Sequence, residues 1–586
     1  MNKKDLILNI LLFISQIIVF YYFFCYLFPF KEQLQMFQFT SQYLTETLKQ
    51  AGGVAIYISE FLSQFYVVFW TGPIISALLL TLVALLSSLI LKKINSRNDL
   101  PLIFLLPWLS LLIISLDYDY YEQGTIAYLF LLLFLWLYTN IKTRIKFIYG
   151  ICIIPILYGI AGPIVHLFAI SALFFEFLTN GKKKYISIIY LLIAALSAIA
   201  GTYLGYSRNL TLAFLPEAYC NPLQTVSGIY YAWYALPMTM LLVAYLKRYK
   251  EPVSLKGKCI WEGAQWAIMF LLVYQGIFHF GKLDAQHSMK QDYLLRTEQW
   301  DLVISEFNHD VLSKRRMCGL NLALAHKGQL SERLLDYPQH GIETLMLHWD
   351  QSIYTAQLHS DLYYCMGIIS AAQKFAFEAF VSSRSSGNPR MLKRLIETNL
   401  ITGSYPIADK YIQLLEKTWF YKDWATAHRR FLYNDKAVEE DKILGMKRRC
   451  WKAEASAAKL YTDPVSSLIN LLPACPDNKA GLAYLTSSLL LNKDIETYKT
   501  LQESLYRSPA WRDMTECQQE AIVICSPNDP HFWLEHGVSI KVRNRAIAFM
   551  QKVQDVSRSG QNLAVALASE YGKTYWYYYM FNMMDK

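Results

Sequence analysis

Apolar residues come in long, nearly unbroken runs from Leu6 to Gly281. From Lys282 onward they give way to a beat of one apolar residue every three or four. A helix needs roughly 17–25 apolar residues to cross a bilayer. Divided at its polar breaks, the first part predicts nine spans, near 6–29, 66–91, 100–116, 125–140, 147–160, 162–179, 185–205, 229–246 and 259–281. The fifth and sixth meet at GIAGPIVHL, where Gly162 and Pro163 predict a tight hairpin or a broken helix. The expected fold class is all-α: a polytopic transmembrane helical domain over 1–281, followed by a soluble helical repeat domain over 282–586.

The second part has helical periodicity throughout and little strand-like alternation. Met391–Lys417 is its most informative stretch. Leu392, Leu395 and Leu400 form one helical face, Gly403 permits a turn, and Tyr405, Ala408, Tyr411 and Leu415 form the facing stripe of a second helix. The pattern is similar to a tetratricopeptide unit, where a small residue such as Ala408 lets paired helices approach closely. Looser copies have Gly328 in the turn, or Asn492 and Lys493 where a glycine is expected. The aromatic tail EYGKTYWYYYMF predicts a docking helix that caps the array or rests at a membrane interface.

Charge adds an orientation. With Lys3 and Lys4 inside, nine spans put sixteen Lys or Arg of the first part on the N-terminal side and three, Lys31, Lys49 and Arg208, on the other. That asymmetry is what the positive-inside rule selects for, and it accounts for part of the net charge of +10 without invoking nucleic acid. The N-terminal run has no small-residue cleavage site and is read as an uncleaved signal anchor in a bacterial inner membrane. An odd number of spans then places the C-terminal domain in the periplasm. The irregularly spaced Cys318, Cys365, Cys450, Cys475, Cys517 and Cys525 are compatible with three bridges or with buried free thiols.

The candidate chemistry is acidic. SLDYDYYEQGTIAYL sets Asp117, Asp119 and Glu122 among tyrosines in the turn between the third and fourth spans, on the external side. Hard carboxylate oxygens suit a divalent cation such as Mg²⁺ or Mn²⁺, with Asp117 and Asp119 as its ligands. One acid could instead take the proton of an acceptor hydroxyl. Acids on the external side and tyrosines at a bilayer surface are also ordinary features. Arg208, the one basic group of its loop, could hold a phosphate or pair with Glu217. His166, Glu176, Glu262 and His279 lie in or near spans and are expected to pack or snorkel. No Walker loop, GxSxG, HExxH or zinc spacing occurs, so ATPase, serine hydrolase and metalloprotease readings have no support.

Taken whole, the chain resembles an uncharacterised family of bacterial multi-pass proteins with a C-terminal tetratricopeptide-like domain. AGGVAIYISEFLSQFY, LIETNLITGSYPIADKY and the aromatic tail carry that resemblance. Residues 1–281 are also similar to the membrane modules of polyprenyl-phosphate-dependent glycosyltransferases of the multi-pass GT-C architecture. Those enzymes have a long first external loop with an amphipathic helix and external acids. The loop Phe30–Tyr66 with Glu32, Glu46 and Glu60 answers to this, beside Asp117, Asp119 and Glu122. No acidic pair follows the first span, where such enzymes place their catalytic acid; Glu32 is the nearest acid.

The resemblance implies Asp117, Asp119 and Glu32 in catalysis, and Glu122, Arg208 and Glu60 at the substrate. It implies a polyprenyl-phosphate lipid in the bilayer as donor, and periplasmic proteins met through the repeat domain. The alternative is a non-catalytic membrane-anchored scaffold, since concave helical arrays commonly recruit partners.

Overall fold

A computed structural model of the chain describes all residues except 1–2, 98, 180–185, 222–225, 227, 250–251, 253, 307–312, 384–386, 457–462, 506–513 and 583–586. Among the described residues the regular structure is helical, and the only extended pairing is an isolated antiparallel bridge between Tyr120 and Cys220. The chain forms two compact units: Met1–Met289 with Lys417–Phe420, and Lys290–Glu416 with Tyr421–Lys586.

The first unit contains α1 (Lys3–Phe23), α2 (Leu27–Glu32), α3 (Ser41–Leu48), α4 (Gly53–Ser63), α5 (Thr71–Ile94), α6 (Leu106–Ser115) and α7 (Glu122–Asn140). It continues with α8 (Thr143–Ala161), α9 (Val165–Leu178), α10 (Ile189–Tyr203), α11 (Leu210–Phe214), α12 (Gly228–Leu246) and α13 (Leu255–Phe280). Each of the nine expected spans coincides with a helix: α1, α5, α6, α7, α8, α9, α10, α12 and α13.

Five apolar stretches are long enough to cross a membrane: Leu6–Phe23, Thr71–Ile94, Glu122–Asn140, Ile145–Leu178 and Gly228–Leu246. Lys256–Phe280 with Leu283–Arg296, bent by 56°, makes a sixth. Ile145–Leu178 is not one straight passage. Lys146 Nζ lies 2.7 Å from Glu176 Oε1, whereas thirty residues of continuous helix would part them by about 45 Å. The chain therefore folds back at Gly162 (φ +81°) and Pro163, as the sequence predicts.

Long-range contacts set the direction of the helices. At one end, Lys93 bonds Asn140, Asn95 Nδ2 donates to Val243 O at 3.1 Å, and Trp261 Nε1 donates to Asp99 O at 3.1 Å. At the other, Lys31 Nζ donates to Ser115 O at 2.9 Å, Ala51 N to Tyr206 O at 2.8 Å, and Tyr121 N to Tyr219 O at 3.0 Å. The helices alternate between a basic end, which carries Lys92, Lys93, Arg97, Lys146 and Arg248, and an acidic end, which carries Asp117, Asp119 and Glu122. The basic segment at residues 181–185 lies outside the described residues. Small side chains allow this packing: Ser76, Ala77, Ala84 and Ser87 of α5 are all buried, so neighbouring backbones can come close.

In the second unit, the helices Pro389–Thr402 and Tyr405–Glu416 pack as an antiparallel pair about Gly403 (φ +76°), with Leu392, Leu395, Leu400, Ala408 and Leu415 buried. Lys493 takes a left-handed φ of +56° at a turn where a glycine would ordinarily stand. Packing is not only between sequence neighbours: Lys479–Leu491 also meets Leu330–Arg333 and Ile353–Met366. The aromatic tail forms the helix Tyr575–Phe581 and closes this unit. Its Tyr575 and Tyr578 hydroxyls donate to Leu490 O (2.9 Å) and Leu491 O (3.1 Å), carbonyls that a helix end leaves open.

Candidate functional site

The acidic turn is buried. Asp117, Asp119 and Glu122 are 5%, 1% and 3% exposed. The cause is the segment after α11, which pairs with the turn: Tyr121 N donates to Tyr219 O (3.0 Å), and Asn221 N to Asp119 O (2.8 Å). Asn221 Nδ2 also donates to Asp119 Oδ1 at 3.0 Å. Tyr219 reaches on to the α8–α9 hairpin, donating to Ala161 O (2.6 Å) and accepting from Ile164 N (3.0 Å). Gly52 (φ +78°) is pressed against that hairpin; a side chain there would come within 3.1 Å of the Ala161 carbonyl. The AGG of the first loop is thus a close-approach site for a turn more than a hundred residues later in the chain.

Charges inside such a bundle are costly unless paired, and Lys282 is paired with two of the acids. Lys282 Nζ lies 2.9 Å from Asp117 Oδ1 and 3.3 Å from Asp119 Oδ2, and 4.4 Å from the centre of the Tyr118 ring. Lys31, fully enclosed on α2, faces Glu122, Asp117 and Asp119 and lies 5.9 Å from the Tyr120 ring. Burial lowers the Lys31 ammonium below the usual lysine range, against the pull of those carboxylates. Glu122, the first residue of α7, faces Tyr66 and Ser76, and its Oε1 has no hydrogen-bond partner among the described residues. The alternation of Asp and Tyr thereby supplies two lysines with carboxylates and ring faces.

The other expected site residues have partners of their own or face solvent. Glu32 is buried next to Lys31 and accepts from Gln33. Glu60 is buried on α4 and accepts from the Tyr43 hydroxyl. Glu46 is exposed and accepts from Gln42 Nε2 at 2.9 Å. Arg208 is exposed, while Glu217 accepts from the Tyr230 hydroxyl at 2.6 Å. Glu176 and His166 take packing roles: Glu176 pairs with Lys146, and His166 stacks on Phe214 at 4.8 Å. At the seat expected for a divalent cation, the Lys282 ammonium joins the two aspartates. Among the described residues no group of three or more His, Cys, Asp and Glu is arranged to hold a metal ion.

A groove of about 610 Å³ runs between α6, α12 and α13, with walls that include Leu109, Ile113, Met238, Leu242 and Leu272. Its polar groups are Ser110, Thr239, Gln275 and His279. Gly276 brings α13 onto α6, since a Cβ there would sit 2.3 Å from Ile113 Cδ1. Both walls lead to the charge cluster. Past Ile113, α6 ends at Ser115 and the turn of Asp117 and Asp119 follows; three residues past His279 stands Lys282. The sequence had Asp117 and Asp119 as candidates but not Lys31 or Lys282, because only the folded chain brings Lys282 onto Asp117, 165 positions away, and Lys31 onto the Ser115 carbonyl, 84 positions away.

Fold and site together describe an all-α protein with apolar helices long enough to cross a membrane and a buried acid–lysine cluster at the head of an apolar groove. The chain belongs to the family of unknown function DUF6057, whose model matches residues 2–582. No curated protein and no solved structure matches it.

Proposed function

We propose that this protein is a bacterial inner-membrane transferase that moves a sugar from a polyprenyl-phosphate carrier to an acceptor on the periplasmic side. The observation that carries the reading is the buried cluster of Lys31, Lys282, Asp117, Asp119 and Glu122 at the head of the α6–α12–α13 groove. Ionisable groups at such a place are expensive to keep and commonly serve a site. An apolar chain fills the groove, and its phosphate meets His279 and Lys282, the partly exposed lysine of the pair. A phosphate at Lys282 competes with Asp117 for the ammonium. The freed carboxylate then takes the proton of the acceptor hydroxyl as its oxygen bonds to the sugar and the sugar–phosphate bond breaks, the phosphate leaving on the lipid. The basic end faces the cytoplasm, as the positive-inside rule requires, and the second unit, a tetratricopeptide-like array in this reading, presents the acceptor or a partner.

Asp117→Asn/Asp119→Asn tests this. The double variant should reach the membrane at parental level, while membranes containing it accumulate unconsumed polyprenyl-phosphate-linked sugar. Parental consumption of the lipid would overturn the reading. A second reading, a non-catalytic anchor for a helical array, draws support from the same ion pairs, because Lys282 satisfies Asp117 and Asp119 without any ligand.

A further inference from the structure

The two aspartates of the acidic turn are alike in sequence and unlike in their bonding. Asp119 is held on both carboxylate oxygens: Asn221 Nδ2 donates to Oδ1 at 3.0 Å, and Lys282 Nζ donates to Oδ2 at 3.3 Å. Its main chain is held as well, since Asn221 N donates to Asp119 O at 2.8 Å beside the Tyr120–Cys220 bridge. Asp117 spends one oxygen on both of its bonds. Its Oδ1 accepts from Lys282 Nζ at 2.9 Å and from Asp119 N at 2.9 Å, and among the described residues no hydrogen bond reaches Oδ2. The Asp117 side chain also keeps more exposure, 7% against 1% for Asp119.

Asn221 is the source of the difference, and it is itself fixed in place. Two residues before it, the Tyr219 hydroxyl bridges Ala161 O and Ile164 N of the α8–α9 hairpin, while Tyr219 O accepts from Tyr121 N. An asparagine amide is neutral and keeps both of its donors whatever happens to the lysine. Asp119 therefore cannot turn away, and it keeps its share of the Lys282 ammonium when a phosphate arrives. The partner that the phosphate displaces is Asp117, which is left with the Asp119 amide alone and with Oδ2 open to an incoming hydroxyl.

Resting on the transferase reading above, we infer that Asn221 is a positioning residue: it fixes Asp119 as the anchor of Lys282 and so leaves Asp117 Oδ2 to take the acceptor's proton. In the step it serves, the acceptor O–H proton passes to Asp117 Oδ2 and the acceptor oxygen bonds to the sugar carbon. The bond from that carbon to the phosphate oxygen breaks, and its electron pair leaves with the lipid phosphate. Asn221 acts only through Asp119 and Lys282.

The test has two parts. Full-length protein in detergent is treated with a water-soluble carbodiimide, which activates an accessible carboxylate oxygen and lets a neighbouring amine close an amide with loss of water; the products are mapped by mass spectrometry. An Asp117–Lys282 amide should form ahead of an Asp119–Lys282 amide, and in Asn221→Ala the Asp119 product should rise several-fold. Turnover is then measured on polyprenyl-phosphate-linked sugar, supplied as the lipid extract of cells that lack the protein. Asp117→Asn should leave about a hundredth of the parental kcat or less. Asp119→Asn and Asn221→Ala should lower kcat about tenfold with KM for the lipid unchanged, a split that general loosening of the fold would not give. Asp119 coupling first in the parent, or Asp119→Asn costing as much as Asp117→Asn, would overturn the inference and leave the transferase standing. Parental turnover in both aspartate variants would refute the transferase, and the inference with it.

Discussion

Replacing Lys31 by methionine keeps most of the stem volume and removes an ammonium that is 5% exposed. Two losses follow: the hydrogen bond to Ser115 O at 2.9 Å, and the positive charge that faces Glu122, Asp117 and Asp119. Losing a buried hydrogen bond from a charged donor, with the Ser115 carbonyl left unsatisfied, costs about 3 kcal/mol. Lys282→Met is the matched comparison. That side chain is 38% exposed, so water can replace it at Asp117 and Asp119, and the expected cost is about 1–2 kcal/mol. An equilibrium titration of folded fraction against denaturing detergent reads both variants on one scale. A gap of about 2 kcal/mol between them corresponds to more than tenfold in the folding equilibrium. The excess charge left by Lys31→Met falls first on Glu122, so adding Glu122→Gln should recover about 1 kcal/mol or more, a departure from additivity expected of partners in contact. The reasoning is refuted if Lys31→Met is no more destabilising than Lys282→Met, or if Glu122→Gln makes Lys31→Met worse.

Three further outcomes are expected. Ala408, fully buried in the pair Pro389–Thr402 and Tyr405–Glu416, should not accept Asp: a charge there costs several kcal/mol, and circular dichroism of Ala408→Asp should show the second unit losing cooperative unfolding. Glu520 is pushed up to about 7 by burial, against the Tyr575 amide that donates to it and the nearby Arg545. Its folded form therefore holds a proton that the unfolded chain, with a carboxyl near 4.5, gives up, so stability falls as pH rises from about 4.5 to 7, by roughly 3 kcal/mol at most. Glu520→Gln should flatten that slope in melts taken across this range, and an unchanged slope would assign it elsewhere. Single cysteines at exposed Arg208, near the acidic end, and at exposed Arg248, at the basic end, should react with an impermeant maleimide on opposite sides of the membrane; labelling from the same side would break the alternation of the helices.

Helix positions in the first unit were legible because apolar run length is a local property, and even the α8–α9 fold-back is written in Gly162-Pro163. The Gly403 turn with its two flanking faces was legible for the same reason. The site was legible only in part. Asp117 and Asp119 stand out in an apolar context, but their burial depends on Tyr219 and Asn221, a hundred residues away, and their neutralisation on Lys282. Lys31 reads in the sequence as an ordinary external lysine, yet it is enclosed because α2 turns inward under the bundle. Glu32 and Glu60 are buried on neutral partners, the Gln33 amide and the Tyr43 hydroxyl, which run length and charge do not reveal.

The central claim is that the groove between α6, α12 and α13 seats a lipid-linked phosphate with its head at His279 and Lys282. The most direct measurement is a cryo-electron microscopy map of the full-length protein with polyprenyl phosphate. The account predicts an elongated density along Leu109, Ile113 and Leu272 that ends in a phosphate within hydrogen-bond distance of Lys282 Nζ. A groove without that density, or a phosphate bound at the basic end beside Asn95 and Arg97, would contradict it.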